Sequence, residues 1–249
     1  LFVLTVAYSL NDGLNDKDKA RAEEIAEKLK ENLSDYWLSD NITYHYYCVT
    51  ENTAIIEELH ESDDYDHLGS LQSAYFYRIG NDKKAQEFLN SDLKYKWPRI
   101  MSACVAAELK MDAKAREGYQ QMGGDLNARF VDNAFALLIL LHLGDLEKAA
   151  QEAKAQKVLL DEKDYRRPFT SLNLYLNLIA NSDLPVEELA EKFRADINKS
   201  ETAKCAGNYL LGLIARAKGK PDLAKTYLEA AVNTKQFIYA EYEMAKALL

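Results

Sequence analysis

Glycine and proline are scarce in this sequence, and that scarcity limits the folds it can adopt. The 249 residues include only 10 Gly and 4 Pro, too few for the many tight turns of a β-sandwich or a β-barrel. No segment alternates apolar and polar residues between turn residues, so strands are not expected. Ala, Leu, Glu and Lys are abundant instead, and they lose little side-chain freedom in a helix. We therefore predict an all-α fold.

Cysteine is also sparse. Cys48, Cys104 and Cys205 lie far apart, without a Cys-x-x-Cys pair, so neither a disulfide framework nor a zinc site is indicated. A reducing compartment follows, and we expect a cytoplasmic protein. The chain begins at Leu1 with an apolar stretch to Ala7, which we interpret as a helix of the array within a longer polypeptide. If that stretch ends a membrane or signal segment, the location would be extracytoplasmic.

No apolar run is long enough to cross a bilayer. The longest, which includes Ala136–Leu141, covers the eight residues from 134 to 141, whereas a membrane-spanning helix needs about 20. We predict no membrane insertion within this chain, and a buried helix at this run.

Positive charge is in deficit, which argues against a nucleic-acid partner. The formal net charge is −9, whereas binding to phosphates requires a basic surface. Residues 1–70 carry 16 Asp or Glu against 5 Lys or Arg, a balance of −11, which leaves +2 for residues 71–249. The two ends are therefore expected to meet partners of different charge.

Signatures of catalysis are missing as well. The four histidines, His45, His60, His67 and His142, show no metal-ligand spacing, and no nucleophile elbow, phosphate loop or dinucleotide motif occurs. A sugar-cleaving helical toroid would need paired carboxylates and usually several Trp, but only two Trp are present. We predict a non-enzyme without metal or cofactor, and keep the toroid enzyme as a remote alternative.

Apolar residues recur at helical spacing between short polar breaks such as Gly144-Asp145 and Gly219-Lys-Pro221, which predicts helical hairpins. A small residue of each second helix falls at Ala20, Ala54, Ala85, Ala115, Ala149, Ala190 and Ala224. Most of these positions are 30 to 34 residues apart. A period near 34 indicates one helix pair per repeat, each pair stacking on the next.

The unit from Cys205 to Ile238 resembles the tetratricopeptide repeat. Leu211-Gly212, Gly219, Ala224 and Leu228 stand where that family has its Leu-Gly, turn Gly, Ala and Phe. Weaker matches cover residues 66–99, 96–129 and 130–163, whereas Asn208 and Gln236 depart from the family's Trp and Pro. The resemblance implies a right-handed superhelix, a solenoid of about six to seven hairpins, that binds proteins.

We predict a single repeat domain over residues 1–249. Residues 1–67 would form degenerate acidic repeats, residues 68–236 the clearer repeats, and residues 237–249 a capping helix over the exposed apolar face of the last hairpin.

Sixteen tyrosines are present, and the repeat register places several aromatic and cationic side chains on the concave face. These candidate binding residues are Tyr46, His67, Tyr77, Arg78, Trp97, His142, Tyr175, Tyr209 and Arg216. Any single one of them could instead pack helix on helix. Tyr209 and Arg216 are seven residues apart and share one helix face, so we expect both to contact a partner.

The expected function is a non-catalytic scaffold that holds a peptide or helix of a partner protein in the concave groove. The alternative within the same fold is a permanent structural subunit of a larger complex, which would expose large apolar patches.

Overall fold

The computed structural model describes Ala20, Glu24, Lys28 and residues 69–89, 96–123, 130–162, 170–236 and 240–249. Within these residues the structure is helical and contains no β-strand, which confirms the all-α prediction. Ala20, Glu24 and Lys28 are each helical.

Twelve helices are described from Gly69 onwards. They are α1 (Gly69–Arg78), α2 (Asp82–Leu89), α3 (Lys96–Glu108), α4 (Asp112–Gly123), α5 (Phe130–His142), α6 (Leu146–Glu162), α7 (Thr170–Ala180), α8 (Val186–Lys192), α9 (Arg194–Ile197), α10 (Glu201–Ala217), α11 (Pro221–Val232) and α12 (Ala240–Ala247).

Four helix pairs are joined by the same three-residue turn. In each turn one residue has positive φ: Gly80, Lys110, Gly144 or Gly219. Its N–H and the next residue's N–H bond to carbonyls of the preceding helix, as when Gly219 donates to Arg216 and Lys220 to Ala215, both at 2.9 Å. These two hydrogen bonds satisfy carbonyl groups at the C-terminus of the first helix and end it there. The predicted breaks at Gly144 and Gly219 are therefore confirmed.

The small residues predicted to let paired helices approach are mostly in the core. Ala85, Ala115, Ala149 and Ala224 are at most 1% exposed. Ala54 lies outside the described residues.

Two of those small residues were placed wrongly. Ala20 is exposed and Ala190 only half-buried, whereas Val186 and Leu189 are the fully buried residues of α8. Larger aliphatic side chains therefore fill the packing face of α8, where a small alanine was expected.

The apolar run of α5 is buried as predicted, with Ala136–Leu141 at most 3% exposed. No helix within the described ranges combines the length and the apolar character needed to cross a membrane.

The first helices of the hairpins form a continuous inner layer. Contacts run from α1 to α3, α5, α7, α10 and α12 in turn, and α10 also contacts α5. We call the surface formed by α1, α3, α5, α7 and α10 the inner face. The chain segment predicted as a cap contains α12, which contacts α10 and α11 and also α1. It therefore joins the two ends of the described array, where a simple cap would cover only the last hairpin.

Candidate interaction site

Glu108 is the centre of a buried polar cluster at the end of α3. It is the one charged residue in the otherwise uncharged stretch Met101–Leu109, and its side chain is 3% exposed. A carboxylate in such a position must find internal partners, because an unpaired buried charge is very costly.

Arg216 makes two of the hydrogen bonds to Glu108. Its Nη1 and Nη2 atoms donate to Oε1 and Oε2 of Glu108 at 3.0 and 2.9 Å, a two-pronged geometry that only arginine provides. The Arg216 side chain remains 36% exposed. The pair links α10 to α3 across 108 residues of sequence.

His142 continues the cluster into the core. Its Nδ1 lies 2.7 Å from Oε1 of Glu108, and its Nε2 lies 2.6 Å from the Tyr209 hydroxyl. An ionised carboxylate can only accept, so Nδ1 carries a proton and donates it in a hydrogen bond to Glu108, while Nε2 and the Tyr209 hydroxyl are hydrogen-bonded to each other. Side chains of α3, α5 and α10 are thereby tied together.

The environment decides the charge of Glu108. Burial alone raises the pKa of a carboxyl, but the hydrogen bonds from His142 and Arg216 and their charges outweigh it and lower the pKa of Glu108 to about 2. Glu108 is therefore ionised at any physiological pH.

Tyr77, at the end of α1, completes what we call the Glu108 cluster: Tyr77, Glu108, His142, Tyr209 and Arg216. Burial and the negative charge of the Glu108 carboxylate raise the pKa of Tyr77. Tyr77 is half-buried. Together with Arg216 it forms the accessible margin of the cluster.

A second buried group lies around Tyr175 of α7. Its hydroxyl donates a short hydrogen bond to the Glu241 carboxylate of α12, and its ring meets Phe135 edge-on at 5.0 Å between centroids. Burial and Glu241 raise the pKa of Tyr175. The same two causes raise the pKa of nearby Cys205 to about 12, although its hydrogen bond with Thr234 acts in the opposite direction.

The structure brings four of the nine predicted binding residues together in the Glu108 cluster: Tyr77, His142, Tyr209 and Arg216. Tyr175 belongs to the second group. Arg78 lies over the Tyr75 ring at 5.1 Å from its centroid. Trp97 is part of α3, whereas Tyr46 and His67 lie outside the described residues.

The expectation that Tyr209 faces a partner needs correcting. Tyr209 does share the Arg216 side of α10, but it is 1% exposed because its hydroxyl reaches inward to His142. Tyr175 is likewise fully buried. Among the nine predicted binding residues, three are shown to be at least partly exposed to solvent: Tyr77, Arg78 and Arg216.

The residue that sequence reasoning missed is Glu108. The sequence does contain a signal for this residue. Glu108 is a lone carboxylate in an apolar helix, and it lies 34 residues before His142. That spacing is one repeat length from a residue predicted on the concave face. Across the part of the chain that the structure describes, no three His, Cys, Asp or Glu residues are grouped so as to hold a metal ion.

No protein-family model, curated protein or solved structure matches this chain.

Proposed function

We propose that this chain is a non-catalytic interaction scaffold that holds a peptide or helix of a partner protein against its inner face. The same proposal includes the finer architecture, a right-handed tetratricopeptide-like solenoid, and a cytoplasmic location.

The proposal rests on two side chains, Tyr77 and Arg216, which come from the first helices of different hairpins and meet beside Glu108. These two side chains come from α1 and α10, yet both act on Glu108, Arg216 through two hydrogen bonds and Tyr77 electrostatically, and both keep exposed surface. Tyr and Arg are enriched among the residues that dominate binding energy at protein interfaces. Because Glu108 fixes the guanidinium, little side-chain entropy remains to be lost when a partner binds.

The chemistry of Glu108 favours a structural role over catalysis. Its Oε1 accepts from His142 and Arg216 and its Oε2 from Arg216, so both oxygens are already engaged. With a pKa of about 2 it is also a weak base, whereas a general base works best with a pKa near the operating pH.

The solenoid part of the proposal is supported by Gly212. A Cβ at that position would lie 2.8 Å from Cγ and Cδ2 of Leu228 on α11, which is the close helix approach that the repeat register requires. The location is supported by Cys104 and Cys205, which are buried free thiols of the kind that persist in a reducing compartment.

The test is capture of partners on the immobilised full chain from extracts of cells that express it. Tyr77→Ala removes an accessible inner-face ring, and Lys225→Ala removes an exposed side chain of α11 as the matched control. We expect a protein retained by the wild-type chain to be lost at least tenfold on Tyr77→Ala and kept on Lys225→Ala, with both variants folded by circular dichroism.

Equal retention by both variants would place the partner on another surface and contradict the inner-face proposal. Co-purification at fixed stoichiometry through all washing steps would indicate a permanent subunit instead. Failure to retain any protein specifically would contradict the scaffold itself.

A further inference from the structure

Four side chains of the Glu108 cluster form a circuit of hydrogen bonds that begins and ends on α10. Arg216 of α10 bonds to Glu108 of α3, and Glu108 bonds to His142 of α5. His142 in turn bonds to Tyr209, which is again on α10. Tyr209 and Arg216 are two helical turns apart, roughly 10 Å along the axis. The backbone of one helix therefore fixes the distance between the two ends of the circuit.

Only one end of this circuit is open to a partner. The Arg216 side chain is 36% exposed, whereas the His142 and Glu108 side chains are 0% and 3% exposed and Tyr209 is 1% exposed. A partner on the inner face can touch Arg216 but none of the other three. Any influence of those three on binding has to pass through Arg216.

The orientation of Arg216 depends on that of the Glu108 carboxylate. An arginine side chain has many rotamers, and holding it in one of them costs entropy unless a planar partner fixes the guanidinium. Glu108 is that partner, but its Oε1 also accepts from His142 at 2.7 Å. This bond sets the rotation of the carboxylate, and hence the plane in which the guanidinium lies.

Tyr209 controls the other side of His142. Nδ1 has to carry a proton in order to donate to Glu108, and in histidine the hydrogen bond at one ring nitrogen decides which nitrogen is protonated and how the ring is turned. Here that bond joins Nε2 to the Tyr209 hydroxyl at 2.6 Å. The His142 side chain has no exposed surface, so bulk water does not replace the hydroxyl.

We propose that His142 and Tyr209 are positioning residues for partner binding, which hold the Glu108 carboxylate, and through it the Arg216 guanidinium, in the orientation that the partner meets. This inference rests on the proposed scaffold function and deepens it by giving two buried residues a role in recognition. Tyr209 then acts on the partner indirectly, where direct contact was expected from the sequence.

The experiment uses phenylglyoxal, a reagent for guanidinium groups, on the full chain, with the rate of modification at Arg216 followed by mass spectrometry. Tyr209→Phe deletes one hydroxyl of the circuit. Tyr175→Phe is the matched control, because Tyr175 is also fully buried and its hydroxyl bonds to Glu241, outside the circuit. We expect Arg216 to react about three- to tenfold faster in Tyr209→Phe, the effect of about one net hydrogen bond. In Tyr175→Phe it should react at the wild-type rate.

A second set of variants tests whether Tyr209 acts through His142. In His142→Asn an amide N–H takes the place of Nδ1 towards Glu108, but no Nε2 is left for the Tyr209 hydroxyl. Adding Tyr209→Phe to His142→Asn should therefore cause no further acceleration, since the two residues are coupled. A merely structural role of the hydroxyl would give the same acceleration in both backgrounds. His142→Leu, which removes the donor itself, should accelerate the reaction of Arg216 on its own.

Three results would overturn the inference: unchanged reactivity of Arg216 in Tyr209→Phe, equal acceleration in Tyr175→Phe, or the same acceleration with and without His142→Asn. A partner that depends on Tyr77 should also be retained less by Tyr209→Phe than by Tyr175→Phe. Equal retention by both would overturn the inference and leave the scaffold function standing. Failure of the wild-type chain to retain any partner would contradict the scaffold function, so the two failures are distinguishable.

Discussion

Glu108 is ionised because side chains of two other helices, α5 and α10, are positioned to pair with it. Alone in α3 it would be a costly buried carboxylate, but Arg216 and His142 meet it at 2.7 to 3.0 Å. The folded state therefore favours the ionised form, and the stability of the molecule becomes linked to pH.

The sign of this linkage is set by a pKa that folding lowers from 4.5 to about 2. The stabilising contribution of Glu108 is complete above about pH 4.5 and is lost as the pH falls towards 2. Its full size is on the order of 3 kcal/mol, because one pKa unit corresponds to about 1.4 kcal/mol.

The measurement is urea unfolding of the wild-type chain and Glu108→Gln from pH 7 to pH 2.5. We expect the difference in unfolding free energy between the two proteins to be constant above pH 5 and to shrink steadily below it. A difference that does not change with pH would mean that Glu108 is not held ionised by Arg216 and His142.

The sequence predicts the aromatic and cationic members of the Glu108 cluster, but it does not predict Glu108 at the centre. The repeat register places Tyr77, His142, Tyr209 and Arg216 on one face. It does not predict that Tyr209 turns inward, because that depends on how closely α10 approaches α5, a distance that spacing along one helix does not determine.

Among the elements, the hairpin of α10 and α11 shows most clearly how sequence dictates packing. Gly212 lies against Leu228, and a Cβ added there would also come within 3.4 Å of the Ala224 carbonyl oxygen. We expect Gly212→Leu to lower the unfolding free energy by about 1–3 kcal/mol, the usual cost of overpacking.

Thermal unfolding of Gly212→Leu checks this, with Ala155→Leu as the control because Ala155 is exposed on α6. The control should change the unfolding free energy by no more than about 0.5 kcal/mol. Equal melting temperatures for the two variants would show that α10 and α11 are not in close contact at Gly212.

The turns show what the sequence could and could not predict about the elements. Three of the four contain the glycine that positive φ favours, and these breaks were predictable. The fourth places Lys110 at φ 61°, a conformation that costs a non-glycine residue free energy. Nothing local indicates a turn there, since it is imposed by the packing of α3 and α4 on each other.

Within the described residues, the chain of helix contacts from α1 through α3, α5, α7 and α10 to α12 returns to α1. The all-α class and the hairpins follow from local composition and periodicity. Closure does not, because it depends on small rotations between successive hairpins that add up over the array. The contact between residues 108 positions apart is the clearest product of that closure.

The pairing of Glu108 with Arg216 is tested most directly by a double-mutant cycle, using Glu108→Gln, Arg216→Ala and the double variant in urea unfolding at pH 7. We predict a coupling free energy of about 1–2 kcal/mol, moderated by the solvent exposure of Arg216. The surface pair Lys225 and Glu229, 3.8 Å apart on α11, should give only about 0.3–0.5 kcal/mol. A Glu108–Arg216 coupling no larger than that of the surface pair would contradict the closure of the inner helices around Glu108.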